Sequence, residues 1–331
     1  MGRKKIFSLK RILLALALFG GAFLGFFDAK ALGVNFFEEK VYEVEVAQQE
    51  DILKMGGSFH NNVITLTQNI YVNKGGGFAS KQFPFTGVFD GQGHTIDFKD
   101  LRVKDEETQE ESVEKYNVCK SFFGYIGKGG VVKNLTIRVS EADMKNKLGG
   151  IFALENEGKI ENCKLVVEKY TVMTKGIYGG LVGRNKGEIQ NVVCEVAFDS
   201  DIMAEEGDSK QKLAIGGLCA YNMGTISSCI VKTKFAAGKF EETQEELIYG
   251  GKAFNNRIGG VYGPKNSVGK VENSVCLIDL GVYVSDKDDT GITFEKDASK
   301  VYNYFVLQDL GFNMDEWKLD GDTFVLEIDE D

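Results

Sequence analysis

The amino-acid sequence predicts an all-β chain wound as a β-solenoid of about six coils, because strand-length segments recur in one phase. Two observations carry this expectation. A glycine-rich pattern repeats as GGIFALENEGKI at Gly149–Ile160, GGLVGRNKGEIQN at Gly179–Asn191, GGLCAYNMGTI at Gly216–Ile226 and GGVYGPKNSVGKV at Gly259–Val271. After each copy the residues alternate with period two, as in a strand with one buried face, and the amphipathic period of an α-helix is missing.

The N-terminus stands apart from this pattern. Arg3, Lys4, Lys5, Lys10 and Arg11 precede an uncharged, mostly apolar run of 16 residues, Ile12–Phe27. Ala29-Lys30-Ala31 then offers small residues for cleavage before Leu32. This order predicts a secretory signal over residues 1–31, cleaved or kept as an anchor, and export to the medium or the cell surface. Membrane contact is expected only through this segment. Residues 32–59 read as a lead-in, residues 60–285 as the repeat region and residues 286–331 as an acidic C-terminal cap.

Inside the repeat region, FTGVFDGQGHTI at Phe85–Ile96 reads as an opening coil, and FFGYIGKGGVV at Phe122–Val132 as a degenerate copy. Successive Gly-Gly pairs lie 30, 37 and 43 residues apart, with the surplus in charged insertions such as Glu205–Lys212 and Lys239–Glu246. Asn134, Asn162, Asn191, Ser228 and Asn273 serve as equivalent zero points. One residue on stand Leu135, Cys163, Val192, Cys229 and Ser274; three on, Ile137, Leu165, Cys194, Val231 and Cys276. Five on come Val139, Val167, Val196, Thr233 and Ile278. These odd offsets are expected to fill the bore as ladders, each coil resting on the last at about 4.8 Å.

Gly149, Gly150, Gly179, Gly180, Gly187, Gly216, Gly217, Gly259 and Gly260 are expected at corners where a Cβ would clash or φ must be positive. Asn156, Asn185 and Asn222, in Asn-x-Gly-x-Ile, suit corners because asparagine bonds nearby backbone and tolerates the left-handed region. Tyr304–Leu326 lacks the repeat, holds the only tryptophan, Trp317, and is expected to cover the last coil.

Composition excludes several functions. The chain carries 49 acidic against 39 basic residues, and removal of residues 1–31 would take the net charge from −10 to −15. Nucleic acid needs a basic footprint, so it is a poor partner. A phosphate loop would lead into a helix, whereas GRNKGE leads into the strand IQNVVCEV. The two histidines, His60 and His94, have no Glu beside them, which argues against a zinc peptidase and a Ser-His-Asp hydrolase. DKDD at 286–289 lacks the spaced ligands of a calcium loop. No cofactor or metal is called for.

Glycan cleavage is the serious enzyme alternative, since two placed carboxylates suffice and Asp90 and Asp97 flank the FDGQGHTI turn. Asp90 is equally explained as a turn residue bonding local backbone, and His94 as a structural one. The six cysteines invite a disulfide reading in an exported protein. Cys163, Cys194, Cys229 and Cys276, however, fall on inward positions whose diagonal neighbours lie about 8 Å apart, beyond disulfide reach. They read as small buried hydrophobes; Cys119 and Cys219 find no place in this register.

GGLVGRNKGEIQN and its echoes resemble the GLUG motif of bacterial surface and secreted proteins, including the non-catalytic region of some IgA-cleaving metallopeptidases. FDGQGHTI, the FFGYIG segment and the LGFNMDEW ending are similar to what surrounds such repeats. The resemblance spans roughly residues 60–330. It implies a right-handed parallel β-helix in secreted or cell-surface material, and it implies no reaction.

A binding surface is expected on the even offsets. Val193, Ile230 and Val275 form an apolar row beside the mixed row Arg138, Val166, Glu195, Lys232 and Leu277. This outward face could hold a glycan or a host or cell-surface protein, or lie beneath one of the insertions. Tyr178, Tyr221, Tyr249 and Tyr262 could stack on sugars or form ladders within the coils. The role that fits best is adhesion or ligand presentation, with a glycan-cleaving enzyme and a passive spacer as alternatives.

Overall fold

The computed structural model describes residues 43–47, 61–72, 79–100, 121–144, 148–172, 176–198, 213–235, 257–259, 269–279, 292–295, 297–321 and 323–327. All lie in the unit Tyr42–Asp331. The expected signal, the DKDD run, the two charged insertions, His60, Cys119, Tyr249, Tyr262 and Gly260 fall outside the described residues.

The chain is all-β with long parallel sheets. Its opening strands are β1 (Glu43–Val46), β2 (Val63–Leu66), β3 (Ile70–Val72), β4 (Val88–Asp90) and β5 (Thr95–Asp100). Then come β6 (Gly124–Ile126), β7 (Val131–Met144), β8 (Leu148–Gly149), β9 (Ala153–Asn156), β10 (Lys159–Val172), β11 (Gly176–Gly179), β12 (Val182–Asn185) and β13 (Glu188–Phe198). β14 (Leu213–Gly216), β15 (Cys219–Asn222), β16 (Thr225–Ser227), β17 (Ile230–Phe235), β18 (Arg257–Gly259), β19 (Lys270–Glu272), β20 (Ser274–Asp279) and β21 (Ile292–Glu295) complete the stack. The C-terminal segment adds helices α1 (Ala298–Val301) and α2 (Tyr304–Leu310) and the antiparallel hairpin β22 (Trp317–Asp320) and β23 (Thr323–Leu326).

Three parallel sheets share the central passes of the chain. The long sheet runs β1-β2-β4-β7-β10-β13-β17-β20-β21, with β3-β5 joined onto β7 and β16-β19 onto β13; a second runs β6-β9-β12-β15, and a third β8-β11-β14-β18. A pass therefore visits the third sheet, then the second, then the long one, and returns one strand further on. The repeat suggested a strand, a glycine turn and a strand; the structure has two short strands before the long one. Strands of two to four residues, such as β8, β9, β11 and β12, are too short to show a period.

Register holds as the alternation requires. Cys163 pairs with Leu135 and Val192, and Leu165 with Ile137 and Cys194. The odd-offset residues Leu135, Cys163, Val192 and Cys229 are wholly buried, as are Ile137, Leu165, Cys194, Val231 and Cys276. The zero points share one backbone feature: Asn134, Asn162, Asn191, Ser228 and Asn273 have φ of 52, 48, 51, 52 and 44°. Each is a left-handed kink that aims the next side chain inward, and asparagine tolerates it better than most residues. At the N-terminal end the bore is filled by Phe85, Phe89, Phe98, Phe122 and Phe123, with edge-on rings such as Phe89 and Phe123 at 5.1 Å.

Asn156, Asn185 and Asn222 play a different part. They are fully buried and stack as a ladder, each Nδ2 donating to the next Oδ1 at 2.9 Å. The oxygens of Asn156 and Asn222 also accept from the amides of Gly158 and Gly224 at 3.1 and 3.2 Å. The corner glycines are required by close approach and not by φ. A Cβ on Gly187 would stand 2.0 Å from the carbonyl oxygen of Gly158, and one on Gly224 2.0 Å from that of Gly187. Passes can stack at strand spacing only if this column stays bare.

The C-terminal segment has a definite seat. It lies against the outward face of the long sheet, where Trp317, Leu307, Phe312 and Phe324 pack with Val193, Ile230 and Leu277 in a second core.

Cys163, Cys194, Cys219, Cys229 and Cys276 are free and buried, as the register argument required for four of them. Cys219 pairs in register with Val182 in the second sheet. Burial pushes every one of these thiols up, Cys229 and Cys276 to about 12.

Two predictions follow from this packing. Gly187→Ala should lower stability by about 2–4 kcal/mol, because the clash is with backbone that cannot move aside; urea titration measures it. All five described cysteines should escape alkylation at pH 8 in the native protein and label fully in denaturant, read by peptide mass spectrometry.

Candidate functional site

The even-offset face is divided in two. Val193 and Ile230 are fully buried under the C-terminal segment, and Val275 packs beside them. Glu195 and Lys232 are engaged as well. Lys164 donates from Nζ to Thr323 Oγ1 at 2.7 Å and to the Phe324 carbonyl, and stands 3.7 Å from Glu195. The Thr323 hydroxyl donates in turn to Glu195, and Lys232 Nζ lies 5.2 Å from the centre of the Tyr302 ring. Asn162 Nδ2 donates to Glu316 at 2.6 Å.

The binding face expected at Val193, Glu195, Ile230, Lys232 and Val275 is thus the seat of the chain's own C-terminal segment. The apolar row and the apolar side chains of that segment are each other's cover, at a sequence distance no local pattern reveals. Burial holds the Lys164 amine below its usual range, with Glu195 opposing the shift. Arg138 stays exposed and Val166 half-buried.

A concavity appears elsewhere, over the glycine column where the second sheet turns into the long one. It encloses about 470 Å³ across successive passes, with Gly130, Gly158, Gly187 and Gly224 as its floor. The charges beside the column reverse between passes. Glu157 precedes Gly158 and Lys159 follows it, whereas Lys186 precedes Gly187 and Glu188 follows it. Lys159, Glu188 and Thr225 are register partners, so the rim is an ordered ladder.

Part of this rim is locked. Lys186 bonds Glu157 at 2.9 Å and also reaches Glu155, which takes Arg184 Nη1 at 2.9 Å. Burial alone would raise the Glu155 carboxyl, but hydrogen bonds from Lys186 and Arg184 outweigh it and hold the carboxyl low. The hydrogen bond to Glu155 likewise raises Lys186. Lys128 and Glu188, both exposed groove residues, make no side-chain hydrogen bond or ion pair with another described residue. The groove therefore offers one open cation, one open anion and a backbone floor. Sequence reading missed it because its floor is defined by absent side chains; the EGK and KGE triplets were the available signal.

The carboxylates weighed for catalysis sit apart in role. Asp90 takes Lys133 at 2.9 Å, Asn134 Nδ2 at 3.1 Å and the Gln92 amide at 3.1 Å, which makes it the lock of its turn. Asp97 lies on the outward row, paired in register with Arg138. His94 closes the same turn through its amide to Gly91 at 2.8 Å, and burial lowers its imidazole. Tyr178 is fully buried, while Tyr221 is half-buried beside Arg184. Among the described residues no three His, Cys, Asp or Glu side chains gather to hold a metal ion.

These features define the class: a mostly β protein of stacked parallel sheets with a strapped outward face and a polar corner groove. Compared with known protein families and with curated proteins, the sequence matches none. Among solved structures it is similar to a protein described as "a putative immunoglobulin A1 protease from Bacteroides ovatus". The two share 16% identity and a TM-score of 0.49 over 89% of this chain and 94% of that one.

If the outward row is a seat for the C-terminal segment, Ile230→Asp should unseat it. The buried charge should cost roughly 3–5 kcal/mol locally, seen as new proteolytic cleavage within residues 297–327 while the circular dichroism of the sheets persists.

Proposed function

We propose that this chain is an exported, non-catalytic, right-handed parallel β-helix of about six coils, related to GLUG-repeat surface proteins. In this reading it binds a glycan or a host or cell-surface protein, in adhesion or ligand presentation. The observation that carries it is the corner groove, a polar concavity spanning adjacent passes, on whose rim the side chains of Lys128 and Glu188 have no partner among the described residues. Parallel passes space the backbone of the groove at about 4.8 Å per pass, so an elongated ligand meets a regular floor. A rigid backbone floor lowers the cost of binding, because no loop has to be ordered.

The amphoteric rim suits polar ligands of low net charge. A strongly anionic ligand would meet Glu157 and Glu188, and a strongly cationic one Lys128 and Lys159. The N-terminal segment supports export through its order of basic, apolar and small residues.

Screening the protein on glycan and matrix-protein arrays should give a ligand whose affinity falls about tenfold in Lys128→Glu or Glu188→Lys, each removing a charged contact worth ~1.5–3 kcal/mol. Unchanged affinity in both variants would take the site away from the groove.

A further inference from the structure

The outward row that the C-terminal segment covers at one end stays open at the other. In register it runs Tyr71, Asp97, Arg138, Val166, Glu195, Lys232 and Leu277, one residue from each successive strand of the long sheet. Tyr71 is 75% exposed, Arg138 is exposed and Asp97 half-buried. Asp97 and Arg138 are register partners on adjacent strands, yet neither side chain makes a hydrogen bond or ion pair with another described residue. Opposite charges elsewhere on the surface do join, as in Lys133–Asp90 and Arg184–Glu155.

The chemistry of this open end is specific. A carboxylate only accepts hydrogen bonds and a guanidinium only donates them. A vicinal diol does both, so one sugar ring can satisfy Asp97 and Arg138 together. The exposed ring of Tyr71 offers a flat apolar surface to the C–H face of a neighbouring sugar, with its hydroxyl as a polar handle. Strand spacing sets the three groups in line at about 4.8 Å per step, close to the advance of a sugar ring along a chain.

We propose that Tyr71, Asp97 and Arg138 form a carbohydrate-binding platform for a neutral oligosaccharide lying across the strands, separate from the corner groove. The balanced pair selects against anionic sugars, since Asp97 stands beside Arg138 in a chain of net charge −10. One ring beside two charged groups offers less apolar surface than the core of a protein interface requires.

The test is calorimetry of the full-length chain with cellohexaose, xylohexaose, mannohexaose and laminarihexaose, and with hexagalacturonate as the acidic comparison. At least one neutral hexaose should bind. Tyr71→Ala and Arg138→Gln should each weaken it about tenfold, and Lys128→Glu should leave it unchanged. Saturation-transfer NMR should show sugar ring protons saturated from the protein, with the signal lost in Tyr71→Ala. Both substituted side chains are exposed, so unchanged circular dichroism is expected. The proposal is overturned if no neutral hexaose binds, if only hexagalacturonate binds, if binding survives both substitutions, or if Lys128→Glu weakens it. Only the last result would move the sugar to the groove; the others leave the groove to its own test.

Discussion

Everything in this protein depends on parallel passes lying in register, each residue above its counterpart. Backbone hydrogen bonds such as Lys159 to Gly130, Glu188 to Gly158 and Thr225 to Gly187, at 2.8, 2.9 and 2.9 Å, set that register at the corner. Once it is set, a residue type chosen in one pass is answered by its neighbours above and below. Apolar positions become ladders, buried asparagines satisfy one another, and a side chain at the glycine column becomes intolerable. The asparagine ladder shows why the constraint is strict: a buried amide without a partner costs about 1–3 kcal/mol, and here each amide's partner is the same residue one pass away.

Much of this was readable because one-sided burial writes itself into sequence with period two. Leu135, Ile137 and Val139 alternate for the same reason that Val192, Cys194 and Val196 do, and the structure buries all of them. Four of the cysteines, Cys163, Cys194, Cys229 and Cys276, were readable too, since position on the ladder decides their neighbours. The reason for each glycine was not. Gly187 could have served a positive φ or a close approach, and only the carbonyl of Gly158 distinguishes the two. The outward row was harder still. Val193 and Ile230 look like an exposed apolar face in their own strands, and their cover comes from Trp317 and Phe324, far along the chain. Nothing local links the two, because tertiary packing between distant segments leaves no period.

The surface that remains open has a simple logic. The apolar and charged residues near the C-terminal passes are spent on holding the chain's own last segment. Polar side chains left over, such as Tyr71, Asp97 and Arg138 on the long sheet and Lys128 and Glu188 over the corner, have no side-chain partner among the described residues. Rigid stacking keeps them in fixed lines, which suits recognition of extended molecules better than enclosure of compact ones.

The C-terminal segment also changes how the stack resists force and heat. Stacked repeats held only by their nearest neighbours can fray from an end, one unit at a time. Here a single segment bonds Asn162, Lys164 and Glu195 and packs on Ile230 and Leu277, so it spans β10, β13, β17 and β20 at once. Peeling the last pass then requires lifting a staple that also grips the passes beneath. Those four passes are bound into one cooperative block.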